Sequence, residues 1–87
     1  MSASRTTIDH DTIRSWAEAR NGRPARVKGA SNGGILRIDF GEPEERLEEI
    51  PWDEFFRIFE ESNLAFLHQE QTEDGTTSRF FKFIHRH

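Results

Sequence analysis

Residues Gly34 to Phe40 read Gly-Ile-Leu-Arg-Ile-Asp-Phe, with Leu36, Ile38 and Phe40 alternating with Arg37 and Asp39. A period of two marks a strand with one buried and one wet face. Such a strand needs partners, and the flanking segments offer them. Ala25 and Val27 alternate with Arg26 and Lys28, and Ser31-Asn32-Gly33-Gly34 lies between the two runs. A two-residue turn at Asn32-Gly33 would set Val27 opposite Ile38, Ala25 opposite Phe40 and Arg26 opposite Asp39, merging the apolar faces and pairing charges on the outer one. Pro24 suits the start of that strand or a sheet edge.

Two helices bracket this hairpin. Asp9 is an N-cap candidate for a helix from His10 to Arg20, with Ile13, Trp16 and Ala17 as its apolar stripe. Ile8 and Ile13 have the spacing of a hydrophobic staple, and Asn21-Gly22 ends the helix. Pro51 opens a second helix from Trp52 to Glu61, with Trp52, Phe55, Phe56 and Phe59 in its stripe. Asn63 is suited to a left-handed closing residue. A second hairpin follows. Leu64 to Glu70 and Arg79 to Arg86 flank Asp74-Gly75, a register that sets Phe66 opposite Phe83, Ala65 opposite Ile84 and Glu70 opposite Arg79. Between the halves, Leu47 and Ile50 in an otherwise acidic connection are candidates for one more short strand.

The expected fold is therefore α+β in the order α-β-β-α-β-β, an antiparallel sheet of four strands, or five with Leu47 to Ile50, carrying two amphipathic helices. Each half is a helix followed by a hairpin, without a side-chain repeat to mark duplication. At 87 residues there is room for one domain, expected over 7–87 behind a disordered tail of residues 1–6. Eight Phe and two Trp supply the core that a 33% hydrophobic composition would otherwise leave thin. With no Cys there is no disulfide framework or thiolate metal site, and the composition points to a soluble cytoplasmic protein without a membrane span.

The chemistry-bearing residues are few. His10, His68, His85 and His87 do not converge in this register, since His85 faces Leu64, so no metal is expected. No cofactor motif is present, and Asp9 to Thr12 reads as a capping sequence rather than an acid–base cluster. No catalytic residue is assigned. Charge is segregated: net +4 over residues 1–37, −11 over 38–74 and +3 over 75–87. Arg20, Arg23, Arg26, Lys28 and Arg37 are candidate phosphate contacts, three of them on the outer face of the first hairpin, against an overall charge of −4. The second hairpin is apolar on both faces. Either helices cover both, or Phe80, Ile84, Leu67 and Ala65 form a partner surface for another protein or a second copy. The leading expectation is a non-catalytic protein-binding module, with nucleic-acid association as the alternative and a glucan-related role third.

Asp9-His10, Ile13-Arg14, Trp16-Ala17-Glu18, Arg20, Gly22, Pro24-Ala25, the strand to Phe40, Trp52-Asp-Glu-Phe-Phe56, Asn63 to Leu67 and Ser78-Arg-Phe80 together resemble a family of short bacterial proteins. Some of its members are labelled 1,4-α-glucan branching enzyme. Such enzymes rest on a (β/α)8 barrel of about 250 residues, which this chain cannot build. Where the family often has a small N-cap such as Ser, this chain has Pro51. The resemblance implies one small domain and supplies no catalytic residue.

Overall fold

A computed structural model describes residues 4–30 and 35–86. The elements are β1 (Ser4–Thr7), α1 (His10–Glu18), β2 (Gly22–Val27), β3 (Leu36–Phe40), β4 (Leu47–Glu49), α2 (Trp52–Glu61), β5 (Leu64–Gln69) and β6 (Phe81–His85). The α+β class holds, but six strands form two antiparallel sheets, β1-β5-β6 and β3-β2-β4, in place of one sheet of four or five. Ser4, Arg5 and Thr6, expected in a loose tail, are strand, with Arg5 facing His68 and Thr6 facing Leu67. Unpaired amides and carbonyls along β5 offer them a ladder that composition alone does not reveal.

Both helices begin at the expected residues, α1 with a side-chain cap and α2 without one. Asp9 accepts from Thr12 N at 2.9 Å, and α2 runs from Trp52 to Glu61 behind Pro51. Ile8 stays 53% exposed, so the expected staple with Ile13 does not close. Asn21 and Asn63 both adopt left-handed backbone, with φ of 57° and 54°.

The second hairpin has the expected register: Phe66 faces Phe83, Ala65 faces Ile84 and Leu64 faces His85. Beyond it the chain slips by one, because Gln71 bridges Thr77 and Ser78 N donates to Glu70 O. The pair expected between Glu70 and Arg79 is lost to this bulge.

The first hairpin does not keep its expected register. Ile38 faces Pro24 instead of Val27, and Asp39 faces Arg23 instead of Arg26. A slip of three residues exchanges the faces of β2, so Gly22, Pro24 and Arg26 share a side with Leu36, Ile38 and Phe40. The expected Asn32-Gly33 turn lies outside the described residues. Gly22 explains the choice. A Cβ there would stand 2.6 Å from Ile38 Cγ2, 3.0 Å from Phe40 Cε1 and 3.1 Å from Ala17 O. Only glycine allows β2 so close beneath α1, and this approach outweighs the alternation of Ala25 and Val27. Pro24 sits in a central strand, not at an edge. Its carbonyl accepts from Ile50 N at 3.0 Å, it has no N–H to return, and the β2–β4 ladder stops at Glu49.

The core joins Ile13, Trp16 and Ala17 of α1, Phe55, Ile58 and Phe59 of α2, and Leu36, Ile38, Leu64 and Phe66 of the sheets. The chain repeats a β-α-β-β path, β1-α1-β2-β3 and then β4-α2-β5-β6, and each half lends its first strand to the other half's hairpin. A step of 42 residues carries His10 to Trp52 and Gly22 to Leu64, the first residues of α1 and α2 and of β2 and β5. The same step carries Ile13 to Phe55 and Ala17 to Phe59, all four fully buried. The repeat is one of position, since few of the paired residues are alike.

Candidate functional site

Two surfaces come out of this architecture. The first is the β1-β5-β6 sheet. Ring contacts from the helices reach Phe66, His68, Phe81 and Phe83, all on one face. The molecule measures 37 × 34 × 18 Å along its principal axes, enough for one helix layer on a sheet but not two at about 10 Å per layer. The other face carries Ala65 beside Ile84 and Thr6, Leu67 and Lys82 in a row. Ala65 is buried, Leu67 and Ile84 are half-buried, and Phe80 just before β6 is 47% exposed. The four apolar residues expected as a partner surface thus remain clear of both helices.

The second surface is a cleft of about 610 Å³ between β1, α1 and the end of β5. Sequence reading misses it, because Arg5 and Thr6 fall in the expected tail. Its walls carry Arg5, Asp11, Thr12, Ser15, Arg20, His68 and Glu70, beside Trp16. Arg20 is held rigidly: it donates to Ser78 O at 2.5 Å, Trp16 O at 2.9 Å and Glu70 O at 3.0 Å, and its guanidinium lies 4.3 Å over the Trp16 ring. Burial lowers its pKa and Glu70 opposes the shift. A buried guanidinium so fully engaged with carbonyls secures the β5–β6 turn to α1.

His68 faces Arg5 across the ladder and stacks on Phe66 at 5.6 Å. Its Nδ1 is buried with no hydrogen-bond partner, and Glu70 Oε2 lies 4.0 Å away. Burial is the main cause of its lowered pKa; Glu70 opposes it, while Arg20 and Arg5 add to it. The imidazole is therefore neutral at pH 7.

A third polar cluster ties the helices together. Glu60 Oε2 accepts from Arg86 Nη2 at 2.8 Å and lies 2.7 Å from His10 Nε2. Arg86 first, then His10, lower its pKa to about 2. His10 also stacks on Phe56 at 4.1 Å. Among the described residues no group of three or more His, Cys, Asp or Glu side chains could hold a metal, and no helix is long and apolar enough to cross a membrane.

The five candidate phosphate contacts are dispersed. Arg20 is buried in its carbonyl cage. Arg26, expected on the outer face, points to the helix side, 3.8 Å from both Glu48 and Glu54, with Nη2 donating to Ala30 O at 2.8 Å. Arg23 pairs with Asp39 at 3.4 Å and donates to Gly41 O at 2.8 Å. Lys28 is exposed at the end of β2, where its N donates to Arg46 O. The slipped register sets Arg37 beside Ala25 on the face that also holds Arg23. Acidic partners from the middle of the chain thus meet several of these cations. No family model, curated protein or solved structure matches the chain.

Proposed function

We propose that this chain is a small non-catalytic interaction module that self-associates through the open face of the β1-β5-β6 sheet, around Leu67, Ile84, Ala65 and Phe80. The observation that supports this is one-sided covering. Both helices pack on the Phe66 and Phe83 side, while the opposite side keeps an apolar centre framed by Thr6, Gln69 and Lys82. An apolar centre with a polar frame is the composition of a protein interface. A second copy is the simplest partner, because a two-fold contact needs only one such patch. The lack of Cys suits a reducing compartment, and we assign the module to the cytoplasm.

Sedimentation equilibrium across a concentration series tests the reading. A dimer is expected for the native chain, with a monomer for the Leu67→Glu, Ile84→Glu double variant. A native chain that stays monomeric into the millimolar range overturns self-association, and capture of a different protein on the same face would redirect it.

A further inference from the structure

The two halves place different chemistry at one structural position. At the junction of β2, β4 and α2, Arg26 on β2 faces Glu48 on β4, and its guanidinium also reaches Glu54 in the first turn of α2. A cation thus sits between two carboxylates, one from the strand and one from the helix, with its buried Nε making no hydrogen bond. At the matching junction of β5, β1 and α1, the residue 42 positions after Arg26 is His68, and it faces Arg5 on β1. The residue 42 positions before Glu54 is Thr12, in the first turn of α1. The carboxylate beside His68 is Glu70, 4.0 Å from Nδ1 and paired with Arg20, while Thr12 carries no charge to match Glu54 and the cleft lies open at this point.

We propose that this cleft binds a small organic monocarboxylate between Arg5, His68 and Ser15, beside Thr12, supplying the anionic group that Glu54 and Glu48 provide at the β2–β4–α2 junction. Arg5 is exposed and free to turn inward, and the Thr12 and Ser15 hydroxyls lie on the same wall. Thr12 Oγ1 already donates to Asp9 at 2.6 Å, so a ligand takes its lone pairs only through a donor of its own, and the anion relies on Arg5, His68 and Ser15. His68 is nine-tenths buried and has an unpartnered Nδ1. The other charges that line the cleft set the class. Glu70 is engaged with Arg20 at 3.4 Å, whereas Asp11 stands next to Thr12 and repels a second anionic group. One carboxylate on a small neutral or amine-bearing body fits that balance, and the volume lies within the range of small-molecule sites.

The test uses propionate as the probe and nuclear magnetic resonance of the full chain as the readout, with chloride at matched ionic strength as the control. Saturable shifts are expected for the Trp16 indole N–H, the His68 ring and Arg5 Nε, with millimolar affinity. Arg5→Gln should weaken binding at least about fivefold. Thr12→Glu should abolish it by placing a carboxylate where Glu54 stands in the other half, and should raise the His68 pKa. Shifts no larger than those with chloride, or propionate binding unchanged in a folded Thr12→Glu protein, would overturn the proposal. Arg5→Gln serves independently if Thr12→Glu does not fold, because Arg5 is on an exposed strand, and unchanged binding in it is equally decisive against the site.

Discussion

The two β-α-β-β halves follow one path and close it differently. Half two is dense. Phe55 and Phe59 are fully buried, Trp52 and Phe56 stack at 5.3 Å, and Glu48 and Glu54 take Arg26 from the β2 strand of half one. Half one sets Ala17 where half two has Phe59, and a polar cleft lies beside α1 where an ion cluster lies beside α2. Its density lies elsewhere, in the close approach of α1 to Gly22 and in the Arg20 cage. A shared topology therefore fixes where helix meets strand but not what fills the junction. One junction holds a cation between two carboxylates of the chain itself, with Arg26 Nε still without a hydrogen-bond partner, and the other is left to solvent or a ligand.

This contrast can be broken most severely at Phe59. Phe59→Ala should cost about 3–5 kcal/mol, since a fully buried ring leaves a cavity that rigid neighbours cannot close. Urea unfolding checks it, and a loss under about 1 kcal/mol would mean that half two is not the denser half. Gly22→Ala comes next, at about 1–3 kcal/mol, because the new methyl collides with Ile38 and with the Ala17 carbonyl. A neutral result would show that β2 does not need its close approach, and the observed register would lose its explanation.

Arg26→Ala sharpens the comparison. It strands Glu48 and Glu54, and with the side chain 27% exposed the expected loss is about 1–2 kcal/mol after allowance for solvent screening. Arg5→Ala at the matching junction should stay within about 0.5 kcal/mol. Equal losses would erase the distinction between a closed and an open junction.

The smallest effect is a slope. The folded-state pKa of His68 lies below its usual 6.5. Near that pH the unfolded chain binds more protons than the folded one, so stability falls as pH drops below about 6.5. His68→Gln should flatten melting temperature against pH between 7 and 5. Glu60 acts lower, because its pKa falls from 4.5 to about 2. Its contribution is present above 4.5 and lost as pH falls toward 2, and Glu60→Gln should remove that loss.

Local signals were legible where a single stretch carried them. Asp9 and Pro51 mark both helix starts, and the Asp74-Gly75 hairpin sets Phe66 against Phe83 as its spacing implies. The first hairpin misled because a plausible turn and a clean alternation agreed with each other, while the deciding contact, Gly22 against Ala17 and Ile38, joins residues from three elements. The cleft was invisible for a related reason. Ser-Arg-Thr-Thr buries almost nothing, and only the free edge of β5 makes it a strand.

Of the two surfaces, the apolar residues of the sheet face were visible in the chain, but their freedom from the helices was not. What the sequence determined by itself was the identity of the helices, the second hairpin and the segregation of charge, since periodicity, capping and turn chemistry act over a few residues. Tertiary structure decided the division into two sheets, the exchange of first strands and the inward turn of Arg26. Those depend on which backbones can approach and which edges remain unpaired, quantities that exist only once distant segments meet.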